Sequence, residues 1–245
     1  MNVPNDNSHR FVDILRLDDV DSTNRYLLDR AREGAPTGLV VVADRQSAGR
    51  GRLGRTWETP AGTSLLVSVL LRPELDASHR QIVVMAAALA MADAVQQTTG
   101  VMAEIKWPND LLVGDKKLAG ILAEASGDAV VVGIGVNLAW DVVPQELEGI
   151  ATAVSLEGGQ SATRDEVLEA FLARYSELLD DLDVTLQSYR DRLVTLGKRV
   201  RVDRNDSSVV GIAVDVDEFG HLLVQPDTGD VVTIAAGDVV HLRPA

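Results

Sequence analysis

The chain has 245 residues, of which 46% are hydrophobic and 24% charged, a globular composition that predicts one large domain, or one large and one small domain. Its formal net charge of −14 repels nucleic-acid phosphates, so general nucleic-acid binding is not expected. The absence of cysteine excludes disulfides, thiolate metal sites and a cysteine nucleophile.

Residues 1–10 are predicted to form a short disordered arm. Residues 1–9 are polar and lack the apolar core of a signal peptide. No run of about 18 apolar residues is evident, so no membrane span is expected. These features predict a soluble, cytoplasmic protein that does not act at a membrane.

The first half of the chain alternates between predicted strands and helices. Asp18, Asp19 and Asp21 interrupt or follow the first strand, and Asp21-Ser22 is suited to cap the first helix, which Gly34 ends. The segment 45–63 is rich in Gly and Arg and is predicted to be a long loop. Strands are predicted at 11–17, 39–43 and 64–71, and helices at 24–33 and 78–98, the second of them central in the core.

The second half begins with short strands, continues with a long helix, and ends in closely spaced short strands separated by turns. Thr163, with Glu166 three residues later, forms a capping box for a long helix, broken at most once, that runs to about residue 193. Strands are predicted at 104–107, 111–113, 118–124 and 130–138, and, after Gly197, at 198–203, 208–215, 221–225, 231–235 and 239–242. The pattern predicts an α/β (α+β) domain over 11–196 and a small β-barrel domain over 197–245.

A Gly-Arg segment, Gly49 to Arg55, is the strongest local signal. Between Asp44 and Trp57 lie four arginines and one aspartate, a local charge of +3 in an acidic protein. Glycines let backbone N–H groups approach an anion, and arginines supply forked donors, so the segment indicates an anion site. A solvated loop with incidental arginines is the alternative. The segment is neither a Walker A loop nor a Rossmann fingerprint.

Four further segments carry weaker signals. Each has an ordinary structural explanation when taken alone: a turn, a surface lysine, packing glycines or a helix cap. The functional alternatives are polar groups displayed at the end of a strand or helix and, for the strand glycines, close approach of a ligand. The segments are Lys106 to Asp110, Lys116 to Leu122, Gly133 to Asn137, and Asp21 to Asn24 with Gln46.

Taken together and in order, these motifs resemble biotin protein ligases. The resemblance spans residues 18–140, and it rests on Trp57 and Glu124 as well as on these segments. It implies a catalytic domain related to class II aminoacyl-tRNA synthetases, followed by an SH3-like end domain. Because the ligase pattern begins by residue 18, we expect the ligase-only type, without the N-terminal DNA-binding domain of some relatives. Leu53 stands where some relatives carry another basic residue.

The resemblance implies that ATP and biotin form biotinyl-5'-AMP, and that biotin then passes to a lysine of a carrier domain, typically in acetyl-CoA or pyruvate carboxylase. Mg²⁺ is expected to assist, with no protein ligand assigned. Catalysis is assigned to Lys117, Arg50, Arg52 and Asp110. Biotin binding is assigned to Ser22, Thr23, Asn24, Gln46, Gly49, Arg50, Gly51, Arg52, Lys117, Gly120, Gly133 and Gly135. ATP binding is assigned to Arg52, Arg55, Trp57, Asn109, Lys117 and Asn137.

Two alternative functions remain open from the sequence. One is a lipoate-type ligase, which performs the same class of reaction on a related fold. The other is a non-enzymatic module, either a small-molecule sensor or an RNA binder that uses the Gly-Arg segment 49–55, here called the arginine loop. The net charge disfavours RNA. The sequence gives neither the oligomeric state nor the identity of the carrier.

Overall fold

The structure is a computed structural model that describes residues 10–74, 76, 80–204 and 207–242, so nearly all of the predicted N-terminal arm lies outside the described residues. A seven-stranded sheet in the order β1-β2-β3-β7-β6-β5-β4 organises the larger part of the chain. Only β1 and β2 pair in parallel in this sheet, and all other neighbouring strands are antiparallel. The strands are β1 (Ile14–Val20), β2 (Val40–Gln46), β3 (Ser64–Leu71), β4 (Glu104–Lys106), β5 (Asp110–Val113), β6 (Lys116–Ser126) and β7 (Ala129–Asn137).

Helices cover both faces of this sheet. Helix α1 packs on one face through Leu27 and Leu28, which cluster with alternate residues of β2, β3 and β7. Helix α2 packs on the other face and itself contacts α3 and α4. The central strands β3 and β7 are therefore buried along their whole length, which explains their continuous apolar sequences. The helices are α1 (Thr23–Arg32), α2 (Ile82–Thr99), α3 (Arg164–Leu178) and α4 (Leu182–Arg192).

Helix α2 is long and apolar enough to cross a membrane by length and composition alone, although no membrane span was expected. However, 78% of it is buried inside the fold. Its single acidic residue, Asp93, pairs with Arg174 of α3 and with Arg192 at the end of α4. These features are those of the core helix of a globular domain.

The predicted helix caps are confirmed. Ser22 caps α1, and Thr163 and Glu166 form the reciprocal capping box of α3, with Glu166 N donating to Thr163 Oγ1 at 3.2 Å. The long helix predicted to run to residue 193 is broken once, and Asp181 caps the second piece by accepting from Val184 N at 3.0 Å. The local sequence is sufficient to predict these caps because a cap depends on residues three positions apart.

The expected interruption of the first strand is wrong. Strand β1 continues through Asp18 and Asp19 to Val20, in register with β2 up to Gln46. The acidic side chains are tolerated because this edge of the sheet is exposed and because Arg45 of β2 pairs with Asp19 at 3.1 Å. Strand β2 therefore extends into the segment predicted as loop.

The C-terminal part forms a second, five-stranded antiparallel sheet in the order β11-β10-β9-β8-β12. It is bonded to the turn after β4 and to helix α4: Trp107 Nε1 donates to Gly220 O at 2.9 Å, and Arg190 donates to Val216 O at 2.8 Å. These contacts bring the start of β12 to the edge of the larger sheet. The strands are β8 (Arg199–Arg204), β9 (Ser207–Val216), β10 (Leu222–Pro226), β11 (Val232–Ile234) and β12 (Asp238–His241).

Candidate active site

A cavity of about 110 Å³ opens where the N-terminus of α1, the arginine loop and the turn between β4 and β5 meet strands β6 and β7. Most of the sequence-predicted site residues meet here, although they come from five separate segments. The lining residues are Ser22, Thr23, Asn24, Gln46, Arg50, Gly51, Arg52, Leu53, Arg55, Thr56, Trp57, Asn109, Asp110, Lys117, Gly120, Ile121, Leu122, Gly133, Ile134, Gly135, Gly237 and Asp238.

The floor of the cavity is a chain of hydrogen-bonded polar side chains. Gln46 Oε1 accepts from both the backbone N–H and the hydroxyl of Thr23, at 2.8 and 2.9 Å. Ser68 Oγ, below the floor, lies 2.7 Å from Thr23 Oγ1 and from Asn24 Oδ1. Asn24 Nδ2 in turn donates to Leu122 O at 3.0 Å. The floor therefore presents fixed hydroxyl and amide groups to a polar ligand.

The arginine loop is a short hairpin with an ordered base. Gly51 N donates to Arg55 O at 2.8 Å and Trp57 N donates to Gly49 O at 2.9 Å. A Cβ atom on Gly49 would lie 2.1 Å from Trp57 O, so glycine is required at the base. At the tip, Leu53 has a φ of 55° and an exposed side chain. The hairpin thus projects its arginines from a fixed stem.

Three of the cations in the cavity already face carboxylates. Arg50 pairs with Glu124 at 2.8 Å, Lys117 with Asp110 at 2.6 Å, and Arg55 with Asp238 of the C-terminal sheet. The hydrogen bond from Arg55 to Asp238 raises the pKa of Arg55. These pairs keep the cations oriented around the cavity and hold the hairpin against both sheets.

Arg52 differs from the other cations. Its Nη1 donates to the neutral carboxamide of Asn109 at 3.1 Å, and it forms no ion pair within the described part of the chain. Burial lowers the pKa of Arg52, with the nearby Asp110 and Asp238 acting in the opposite direction. A desolvated cation with a neutral partner is stabilised most by an incoming anion. Arg52 is therefore the cation best placed to receive one.

Trp57 lies over the glycines of β6 and β7. Its Nε1 would be 2.4 Å from a Cβ atom on Gly135, and Lys117 Nζ lies 5.4 Å from the centre of its ring. The indole N–H of Trp57 is buried and has no hydrogen-bond partner among residues whose placement is described. Gly133 leaves room for Asn24 in the same way, because a Cβ atom on Gly133 would lie 2.0 Å from Asn24 Oδ1. In this structure the strand glycines thus accommodate protein side chains.

The turn between β4 and β5 is anchored from several sides. Trp107 is buried and its backbone N–H donates to Thr195 Oγ1 at 3.0 Å, while the Trp107-Pro108 peptide is cis. Asn109 Nδ2 donates to Ile121 O at 2.6 Å. The turn therefore delivers Asn109 and Asp110 to the cavity wall.

Two predicted site residues do not line the cavity. Gly49 lies at the hairpin base, and Asn137 is buried elsewhere, with its amide nitrogen donating to Thr152 O at 3.0 Å and its oxygen 3.5 Å from Ser64 Oγ. Conversely, Glu124, Ser68 and Asp238 were not predicted. Glu124 was noticed only as part of a motif, and no local signal in the sequence marked the other two.

The fold and the cavity define an α/β protein with a small-ligand site in which cations face a polar floor. The chain belongs to the biotin/lipoate A/B protein ligase family, whose model matches residues 17–140, and the biotin protein ligase C-terminal domain model matches residues 195–242. The predicted resemblance is thereby confirmed.

Individual relatives agree with this assignment. The chain is 39% identical over 232 residues to the biotin–[acetyl-CoA-carboxylase] ligase of Mycobacterium tuberculosis, covering 91% of this chain and 86% of that protein. It is 35% identical over 231 residues to the ligase of the same name from Paracoccus denitrificans, covering 88% and 95%. The solved biotin protein ligase of Aquifex aeolicus in complex with biotin and ATP superimposes with a TM-score of 0.83 at 30% identity, covering 96% and 100%. This likeness confirms the predicted fold class.

Proposed function

We propose that this chain activates biotin with ATP to give biotinyl-5'-AMP, and then transfers biotin to a lysine of a carrier domain in a biotin-dependent carboxylase. One observation carries the proposal: Arg50, Arg52 and Lys117 converge on one polar-floored cavity in a chain with a net charge of −14. The names of the relatives support biotin and acetyl-CoA carboxylase as the substrates. We expect the reaction to occur in the cytoplasm, where ATP and carrier are available.

In the first half-reaction a carboxylate oxygen of biotin attacks the α-phosphorus of ATP, and the bond to pyrophosphate breaks. Two anions must approach each other, so fixed positive charge is the main requirement. At an effective dielectric of about 20, each charge pair 4 Å apart contributes about 4 kcal/mol. Lys117 and Arg52 are the cations that we assign to the reacting groups, with Arg50 beside them.

The floor suits the ureido ring of biotin, which offers one carbonyl and two N–H groups. The hydroxyls of Ser22 and Thr23 and the carboxamide of Gln46 can donate or accept, and the Gly51 backbone lies nearby. Asn24 completes the floor. Ile121 of β6 and Ile134 of β7 supply apolar lining. We assign biotin to this side of the cavity.

ATP is assigned to the opposite side, towards the C-terminal sheet. Arg55, Trp57 and Asn109 line that side. Arg55 can contact a phosphate, Trp57 can cover the nucleotide, and Asn109 can bond to the edge of the purine or to the ribose. The proposed contact of Asn137 with the nucleotide would require its present hydrogen bonds to break. The described residues contain no group of three or more metal-binding side chains, and the cavity carboxylates Asp110 and Asp238 are ion-paired. Mg²⁺ therefore enters the proposal with the phosphates, as MgATP substrate.

In the second half-reaction the amine of the carrier lysine attacks the acyl carbon of the anhydride, an amide forms, and AMP leaves. An unperturbed lysine has a pKa of about 10.4, so it must lose a proton first. Asp110 lines the cavity and is the carboxylate that we assign to orient or deprotonate that amine. Its contact with Lys117 ties this role to the first half-reaction.

Pyrophosphate exchange into ATP tests the proposal. Exchange that depends on biotin, followed by labelling of a biotin carrier domain, is the expected result. Exchange that depends on lipoate would point to the related ligase class, and binding of biotin without exchange would point to a sensor. Either outcome overturns the proposed function.

A further inference from the structure

One carboxylate behind the cavity wall holds two different parts of the site. Glu124 lies on β6 beyond the residues that pair with β5, which end at Gly120. Its Oε1 lies 2.8 Å from Arg50 Nη2, and its Oε2 accepts from Asn24 Nδ2 at 3.0 Å. Arg50 begins the arginine hairpin and Asn24 belongs to the floor. Glu124 itself does not line the cavity.

The contact extends a continuous polar network. From Asn24 the network passes through Ser68 to Thr23 and then to Gln46, by bonds of 2.7 to 2.9 Å. Its buried members have almost no room to rearrange independently, since Asn24 and Thr23 are each 4% exposed and Ser68 is fully buried. The loop-side end, Arg50, is half-exposed. The network therefore connects the floor to the base of the hairpin.

We propose that Glu124 is a positioning residue that couples occupation of the cavity floor to placement of the arginine hairpin. The inference rests on the proposed function and names a residue that acts through Asn24 and Arg50. A carboxylate is required because both donors must be accepted at once. A glutamine of the same shape turns an N–H₂ group towards one of them, which leaves two donors facing each other. An ordinary surface ion pair would instead contribute little.

The test compares Glu124→Gln with wild type and with Asp19→Asn, which removes the exposed Asp19–Arg45 pair outside the cavity. Biotin affinity, measured by calorimetry, is expected to fall about tenfold in Glu124→Gln, as for loss of one hydrogen bond to a charged group. In pyrophosphate exchange the KM for biotin should rise while kcat changes little. Asp19→Asn should behave as wild type in both measurements.

Trypsin supplies a readout that does not depend on activity, because Arg50, Arg52 and Arg55 are cleavage sites on the hairpin. Biotin is expected to slow cleavage there in wild type and in Asp19→Asn, but not in Glu124→Gln. If Glu124→Gln does not fold, as judged by thermal melting, Arg50→Gln tests the same coupling from the exposed side and should also abolish protection. Protection that survives in the folded variants would overturn the inference.

A double-mutant cycle separates coupling from two unrelated losses. Glu124→Gln should lower biotin affinity less in an Arg50→Gln background than in wild type, because the shared contact is already gone. Additive effects would contradict the coupling. Failure of wild type to bind biotin overturns the proposed function, whereas biotin binding by wild type that Glu124→Gln leaves unchanged overturns only the role of Glu124.

Discussion

Lys117 Nζ lies 2.6 Å from Asp110 Oδ1, across the hydrogen-bonded pair of strands β5 and β6. The cation proposed for adenylation and the carboxylate proposed for transfer are therefore already in contact. Both side chains are partly buried, at 31% and 22% exposure, so each keeps the other from standing as an uncompensated charge at the cavity wall. Substitution of either residue is expected to affect both half-reactions, but unequally.

Lys117→Ala should remove a charge that stabilises the transition state of adenylation. We expect biotin-dependent pyrophosphate exchange to fall by roughly 10²–10³-fold, the typical loss for one preorganised donor. The neighbouring Lys116 is exposed and does not line the cavity, so Lys116→Ala is the matched control and should exchange normally. Near-normal exchange in Lys117→Ala would falsify its assigned role.

Asp110→Asn should impair transfer more than adenylation. The variant keeps the size of the side chain but removes the base, and general-base catalysis typically contributes about 10²–10⁴-fold. Single-turnover transfer from preformed biotinyl-5'-AMP to a carrier domain measures the second step alone, and pyrophosphate exchange measures the first. An equal loss in both assays would show that Asp110 serves only to hold Lys117.

His241 should make the protein less stable in mild acid. Partial burial, with the nearby Lys198 and Lys106, lowers the pKa of His241 to about 4, while Asp115 acts in the opposite direction. Because the folded-state pKa lies below the unfolded value of about 6.5, the unfolded chain binds more protons between these limits. This group therefore contributes a loss of stability as pH falls from about 6.5 towards 4.

Thermal melting of wild type and His241→Gln at pH 7, 6, 5 and 4 measures this effect. The melting temperature of His241→Gln relative to that of wild type should rise as pH falls from 7 to 4. The variant can retain a polar contact to Thr195 Oγ1, which lies 3.3 Å from His241 Nε2. Parallel curves for the two proteins would rule out a contribution from His241.

We predict no sequence-specific DNA binding by this chain. Its net charge of −14 opposes phosphate contacts, and its arginine cluster lines the small-ligand cavity. A gel-shift experiment with the purified protein, biotin and ATP at physiological salt should show no saturable complex on an operator-like duplex. A specific shift that survives competitor DNA would contradict the ligase-only interpretation.

Much of the fold could be predicted because its signals are local. The cap at Thr163 and the apolar run of β3 depend on neighbouring residues, and both predictions are confirmed. The continuation of β1 through Asp18 and Asp19 could not be predicted in this way. It depends on the pairing of Asp19 with Arg45, 26 residues later, which is a property of the sheet and not of the strand.

The site residues also separate into those that have a local signal in the sequence and those that do not. Composition and spacing predict the hairpin arginines and the turn at Asn109 as site residues, and the structure brings them to one cavity. Glu124 and Asp238 are single carboxylates in an acidic chain, and only the fold shows that each meets a hairpin arginine. Asn137 illustrates the converse, since the resemblance assigned it to the nucleotide, a contact that its buried hydrogen bonds do not favour.

Arg52→Gly should weaken retention of biotinyl-5'-AMP more than its formation. Among the described residues, Arg52 donates only to the neutral carboxamide of Asn109, so the phosphate that remains in the adenylate is the anion that we expect it to bind. Ordering the hairpin over the ligand costs about 1–2 kcal/mol of backbone entropy per residue, so this attraction must supply the compensation. Without it, the loop should open before the carrier arrives and release a reactive anhydride.

The released adenylate is measured by incubating each protein with biotin, ATP and an unrelated lysine-rich protein. Arg52→Gly should give more free biotinyl-5'-AMP and more stray biotinylation of exposed lysines than wild type, while pyrophosphate exchange falls by a smaller factor than retention of the adenylate. Arg45→Gly is the matched control, because Arg45 is exposed, pairs with Asp19 and does not line the cavity. If Arg52→Gly instead loses carrier labelling with no rise in free adenylate or stray labelling, Arg52 acts in adenylation alone and the retention hypothesis fails.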